Sequence, residues 1–304
     1  MKKRILITIL LVTFILLGCT PAITPTPVLP AETIIPTSTF VPSPTVTPTF
    51  VPTPDKPVGT HKKSDSDGMI QLYIPAGEFQ MGTSTDGDWI GEDEFPLHKV
   101  FLSSFWMDKT EITNAQYQSC VLAGVCTPPH SLASETQKSY FDNTEFAEYP
   151  VIQVDWEQAQ VYCNWAGRRL PTEAEWEKAA RGTTERLFPW EGDGKGPYFA
   201  NFDIDDNWPN ADTTPVGSIL PGASPYGMMD MAGNVYEWVA DWYAADYYQS
   251  SPADDPQGPD QGTARVIRGG AWSSDWNFLR TASRMSFYPD GHSNDIGFRC
   301  AQSE

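Results

Sequence analysis

Between Thr20 and about Gly59 the chain reads P-A-I-T-P-T-P-V-L-P and later F-V-P-S-P-T-V-T-P-T-F-V-P-T-P, and this stretch limits the possible folds more than any other. Each proline removes a backbone donor and favours extended polyproline II. A segment so rich in Pro and Thr cannot bury enough surface to fold, so residues 20–60 are expected to be a disordered, semi-rigid tether. Thr-Pro tracts of this kind are also acceptors for O-glycosylation. The globular part is thereby confined to residues 61–304, one domain by length, with room for a substantial core.

The residues before the tether point to an address. Lys2, Lys3 and Arg4 form a positive start, and Ile5 to Leu17 is an apolar run too short to span a bilayer comfortably. The run ends in L-L-G-C, with Gly18 just before Cys19. This is the pattern of a secretory signal. It resembles a bacterial lipoprotein signal, in which the cysteine is lipidated and becomes the new N-terminus; a plain cleaved signal or a helical anchor are the other readings. Residues 1–19 are thus expected to be a lipoprotein signal peptide with Cys19 as the lipidation site. The domain is expected to be extracytoplasmic, held at a membrane of the bacterial cell envelope by its lipid.

The formal net charge is −19, which argues against a nucleic acid partner because a polyanion would be repelled. It also leaves carboxylates available for divalent cations. Of the five cysteines, four remain beyond Cys19: Cys120, Cys126, Cys163 and Cys300. In an oxidising compartment an even set reads as disulfides, and three pairings exist. Cys120 and Cys126 are separated only by V-L-A-G-V and are able to close a local loop, which leaves Cys163 with Cys300. A cysteine zinc site is the rival, but the spacings are wrong for it.

Met69 to Gly82, M-I-Q-L-Y-I-P-A-G-E-F-Q-M-G, predicts two apolar strands joined in a hairpin, and His98 to Glu111 predicts another strand pair. Three helices are announced by capping boxes: Thr113 with Gln116, Asp155 with Gln158, and Thr172 with Glu175. Gly167 and Gly182 stop the second and third. In the second, Trp156, Ala159, Cys163 and Ala166 share one face, which points Cys163 into the core. Beyond Gly182 periodicity fades into glycine, proline and tryptophan. The expected class is α+β with much irregular chain.

Six runs carry a family resemblance: I-P-A-G-E-F-Q-M-G (74–82), K-T-E-I-T-N-A-Q-Y (109–117), G-R-R-L-P-T-E-A-E-W-E-K-A-A-R-G (167–182), Y-G-M-M-D-M-A-G-N-V-Y-E-W (226–238), R-G-G-A-W (268–272) and I-G-F-R-C (296–300). In order and over the whole domain, they resemble the formylglycine-generating enzyme, or sulfatase-modifying factor, family. The resemblance implies that family's variant of the C-type lectin-like fold, irregular, sparse in secondary structure and calcium-stabilised. It also implies a bond between Cys163 and Cys300. Structural Ca²⁺ would be held by Asp230, the Gly233 and Val235 carbonyls and Glu237, a tight turn of hard oxygen ligands. A carboxylate that merely caps the turn is the other reading. A second implied site uses Asn201 and the Phe202 carbonyl, with later ligands in D-I-D-D-N-W-P-N-A-D, where the spacing departs from the family pattern.

The family oxidises a sulfatase cysteine to formylglycine with two thiolates that bind Cu(I), since soft thiolates select that ion. Counting as the family does from R-G-G, those positions are Ser274 and Leu279. Neither is a thiol, Ala271 replaces a family serine, and no cysteine lies between Cys163 and Cys300. Copper is therefore not expected and no catalytic residue is assigned. Whether the chain is an enzyme stays open, with formylglycine generation as the alternative to a binding role.

For binding, the loop offers aromatic and short polar side chains of the kind recognition surfaces use: Ser274, Asp275, Trp276, Asn277, Phe278, Arg280, Arg284 and His292. Trp272 is expected in the core. The layout also resembles the variable lectin-like proteins of diversity-generating retroelements. The partner would be a protein or a glycan, or the domain would serve as a component of an envelope assembly. Two further chemistries lack support. His61, His98, His130 and His292 form no facial triad for iron, and Ser274 has no G-x-S-x-G signature of a hydrolytic nucleophile.

Overall fold

Pro75 decides how the first strands are used. A computed structural model of the chain describes residues 56–304 except 86, 88, 193 and 204–210, so the expected signal, Cys19 and the tether up to residue 55 lie outside the described residues. The folded region is already engaged at Lys56, which pairs with Glu304, and at Thr60, whose carbonyl accepts from Tyr73 N (3.0 Å). It therefore begins ahead of the expected boundary at 61.

Strands β1 (His61–Lys63) and β2 (Ile70–Ile74) pair with each other, while β3 (Gly77–Met81) pairs with β4 (His98–Leu102). The expected 69–82 hairpin is not formed. A two-residue hairpin turn needs a positive φ at its first central position, and Pro75 holds φ near −65° there. The chain instead turns a corner from one sheet into another. Strand β5 (Phe105–Asp108) does the same after β4 and returns to pair with β2, so the second expected pair is also split between sheets.

The three helices form as their caps imply. In α1 (Asn114–Leu122), α2 (Trp156–Trp165) and α3 (Glu173–Arg181) the capping side chains of Thr113, Asp155 and Thr172 accept from the amides of Gln116, Gln158 and Glu175 respectively. Gly167 (φ 74°) and Gly182 (φ 75°) follow α2 and α3 in the left-handed region, where a side chain would be strained. Ala159 and Cys163 are buried, as the α2 face implies, with Trp156 and Ala166 half-buried beside them.

Strands β6 (Tyr236–Trp242), β7 (Arg265–Arg268), β8 (Met285–Phe287) and β9 (Ile296–Phe298) make a sheet in the order β8-β7-β6-β9, in which β6 and β9 run parallel. Strand β10 (Ala301–Ser303) completes the first sheet, order β1-β2-β5-β10. Cys120–Cys126 and Cys163–Cys300 are both disulfide-bonded, the latter tying α2 to the β9–β10 junction. The rest is turns and irregular chain, the expected α+β class.

Helix α3 is buried at every position although it reads E-A-E-W-E-K-A-A-R. Most of the groups that match its charges come from outside the helix. Lys178 Nζ donates to the carbonyls of Pro75 and Gly77 (2.8 Å each), holding the corner between β2 and β3. Burial pushes the Lys178 ammonium down from 10.5 to about 8. Between those pH values the unfolded chain holds a proton that the folded chain has released, so stability rises with pH across this window. Lys178→Met removes that contribution. The wild-type minus variant unfolding free energy, from urea curves at several pH values, is expected to grow by about 3 kcal/mol from pH 7.5 to 10.5. A difference that does not change with pH would contradict the assignment.

Candidate functional site

Strand β7 delivers Arg268, and Gly269 (φ 97°) and Gly270 (φ 72°) then reverse the chain. A Cβ on Gly270 would lie 2.8 Å from Leu279 Cδ1 and 3.1 Å from Phe278 O, so the turn and the loop that follows close on each other. Ser274, at the first copper position, is 6% exposed. Its hydroxyl accepts from Ala271 N (3.0 Å) and donates to Tyr236 Oη (3.0 Å). Leu279, at the second, is 1% exposed and packs with Phe188, Trp190, Phe202 and Ala232. One position closes a turn and the other fills core. All four described cysteines are in disulfides, so no described residue carries a thiol.

The expected ligand surface divides. Asp275 and His292 are exposed, and Trp276 and Phe278 are half-buried. Ser274, Asn277, Arg280 and Arg284 are buried, and for these four the expectation of a presented surface is corrected. The reason is charge matching. Arg280 forks onto both oxygens of Glu94 (2.5 and 2.8 Å), and Arg284 onto both oxygens of Glu173 (2.7 and 2.9 Å). Burial alone would raise the Glu173 carboxyl, but Arg284 and Arg268 beside it more than offset this and hold it below its usual value. Asn277 is tied to Asp275, which caps the Trp276–Leu279 turn (2.8 Å to Asn277 N). Trp272 is buried, with Nε1 donating to Asn294 O (3.2 Å). His292 stacks on His130 (ring centroids 4.3 Å) and contacts Gln153 Oε1 (2.8 Å).

The proposed cation turn is formed, with Asp230, Gly233 and Asn234 all at positive φ (57°, 78° and 63°). Glu237 is also held by groups outside the turn. Its oxygens accept from Arg299 Nη2 (2.6 Å), Arg299 Nε (2.7 Å) and Trp176 Nε1 (2.9 Å). Glu111 also lies beside Asp230. Glu111 is fully buried, and its Oε2 has no hydrogen-bond partner. Burial and the facing Asp230 carboxylate push Glu111 well above the usual carboxylate range. Two facing carboxylates with an orphaned oxygen have the donor chemistry a hard cation requires. Among the described residues no group of three or more His, Cys, Asp or Glu is arranged for a metal, so a cation here would rest on these two and on backbone oxygens such as those of Gly233 and Val235. Sequence reasoning missed Glu111, whose only signal was its place in K-T-E-I-T.

Asn201 and Phe202 are buried beside this turn, and Asn234 N donates to Asn201 O (2.8 Å). Asn201 Nδ2 donates to Asp212 O (3.0 Å). Most of the segment expected to complete a second cation site, 204–210, lies outside the described residues.

Disulfide-pinned irregular chain around a short α3 and an R-G-G turn defines a sulfatase-modifying-factor fold. A family model, the sulfatase-modifying factor enzyme 1-like domain, matches residues 56–304, and the chain belongs to that family. The formylglycine-generating enzyme of Streptomyces coelicolor is 34% identical over 76% of this chain and 88% of its own length. The serine/threonine-protein kinase pkn1 of Chlamydia pneumoniae is 40% identical over 76% of this chain, but the chain spans only 38% of that kinase's length. Among solved structures, Treponema denticola variable protein 1 superposes with a TM-score of 0.63 at 25% identity, covering 82% of this chain and all of that one.

Proposed function

We propose that this chain displays a sulfatase-modifying-factor-like domain on the extracytoplasmic side of a bacterial membrane, held there by lipid on Cys19. In this reading the domain has no copper-dependent formylglycine-generating activity and acts as a calcium-stabilised binding or envelope-assembly module. The observation that carries the reading is the fate of the cysteines: all four in the domain are in disulfides, with Ser274 and Leu279 at the copper positions. A hydroxyl is a hard, weak ligand for Cu(I), and leucine is none. The likeness to a variable protein supports a binding role, with a protein or glycan as partner. The exposed part of the loop, Asp275 and His292 with the half-buried Trp276 and Phe278, is the surface offered.

Incubation of the purified protein with Cu(I), O₂ and a cysteine-containing sulfatase peptide tests the reading, with product followed by mass. No formylglycine is expected. Product above the no-protein control would establish the alternative, an oxidase with unusual ligands. The cation part is tested separately by melting. Ca²⁺ is expected to raise Tm and a chelator to lower it, and Glu111→Gln to remove most of that response. A response of full size in Glu111→Gln would remove Glu111 from the cation turn.

A further inference from the structure

Arg265, at the start of β7, lies between two indoles, with its guanidinium carbon 3.7 Å from the ring centroid of Trp156 and 3.5 Å from that of Trp242. Nη1 donates to Ala240 O (2.6 Å), and Nε is buried with no hydrogen-bond partner. The buried arginines Arg168, Arg268, Arg280, Arg284 and Arg299 each meet a carboxylate. Arg265 has no carboxylate within ion-pair distance among the described residues. Burial pushes it down to about 10, which leaves it charged at neutral pH.

This guanidinium lines a cleft of about 410 Å³ together with Asp155, Glu157, Gln160, Pro289 and Asp290. That volume is in the range of small-molecule sites. Three carboxylates therefore share the cleft with one unmatched cation. Asp155 is engaged by Gln158 N and His130 Nε2 (2.8 Å each), which leaves Glu157 and Asp290 for a ligand. The indole faces turned to Arg265 are already covered by it, so a sugar ring or an outside cation cannot stack on those faces. A simple anion would be drawn by Arg265 but repelled by the acidic wall and by a net charge of −19. A simple cation would meet the reverse conflict.

We propose that this cleft binds a zwitterion: a short peptide with both ends free, its carboxylate on the Arg265 guanidinium and its ammonium against Glu157 and Asp290. Guanidinium–carboxylate pairing between aromatic walls is the stronger half, because it is charge-assisted and the guanidinium plane is held by the two indoles. The site is built from α2, the end of β6, the start of β7 and the 289–290 turn, and it does not depend on what the Ser274 loop does.

Calorimetric titration of the full chain with L-alanyl-L-alanine, its N-acetyl derivative and its C-terminal amide tests the proposal. The free dipeptide is expected to bind with Kd near or below about 1 mM, and both blocked forms about tenfold or more weakly. Arg265→Gln is expected to abolish binding. Glu157→Gln with Asp290→Asn, both at the surface, is expected to weaken it while leaving the melting curve intact, and this variant decides the matter if Arg265→Gln does not fold. No heat from the free dipeptide overturns the proposal. So does equal binding of the N-acetyl form, which would make the cleft an anion site, or of the amide, which would make it a site for cations on the acidic wall.

Discussion

Glu177→Ala is expected to lower the unfolding free energy by about 3–5 kcal/mol, the cost of leaving a buried charge without its partner. Glu177 Oε2 accepts from Arg268 Nη2 (2.7 Å), and Oε1 accepts from Gly82 N (2.8 Å) and lies 3.3 Å from Arg181 Nη1. Arg268 is fully buried, and its one other carboxylate, Glu173, is 3.7 Å away and already paired with Arg284. Truncation thus strands two guanidinium groups and one amide. Urea unfolding of wild type, Glu177→Ala and the pair Glu177→Leu with Arg268→Met separates the causes. If desolvation of an unmatched charge is responsible, the double variant recovers much of the loss. If the double variant is as unstable as the single one, the cost lies in shape and in the carbonyls of Thr281, Ala282 and Ser283 that Arg268 serves.

The second large effect is expected from the longer disulfide. Cys163 and Cys300 are 137 residues apart, and Cys120 and Cys126 only 6. On a chain-entropy model the first bond contributes about 5 kcal/mol and the second about 2 kcal/mol, because the constraint on the unfolded ensemble grows with the logarithm of the loop it closes. Replacing Cys163 and Cys300 together by serine is therefore expected to bring the domain close to unfolding at 37 °C, while the Cys120/Cys126 pair is replaced with a modest loss. Equal losses for the two pairs, read from thermal unfolding under oxidising conditions, would show that native packing rather than loop closure sets their worth.

What was legible in the sequence was local. The three capping boxes are satisfied within four residues, so Thr113, Asp155 and Thr172 announced their helices without reference to the rest of the chain. The disulfide partners followed from spacing and from the position of Cys163 on its helix. Strand pairing was not legible, because β2 and β3 adjoin in sequence but join different sheets, and only the consequence of Pro75 for the turn gave a hint. The roles of Arg280 and Arg284 are not legible for a related reason. An arginine in a polar loop looks available until its carboxylate is located, and Glu94 and Glu173 stand more than a hundred residues away. Glu237 belongs to the expected cation turn by local pattern, yet Arg299, its ion-pair partner, comes from just beyond β9 at the far end of the domain.

That late arrival governs the order in which the domain is able to form. Residues 296–303 supply the parallel neighbour of β6, the outer partner of β5, the guanidinium for Glu237 and one sulfur of the long disulfide. Until they are in place, both four-stranded sheets lack a strand and a buried carboxylate waits without its ion. Contacts that span most of the chain also form slowly. Neither four-stranded sheet of a domain built this way is complete, and the long disulfide has no second sulfur, until residues 296–303 are in place.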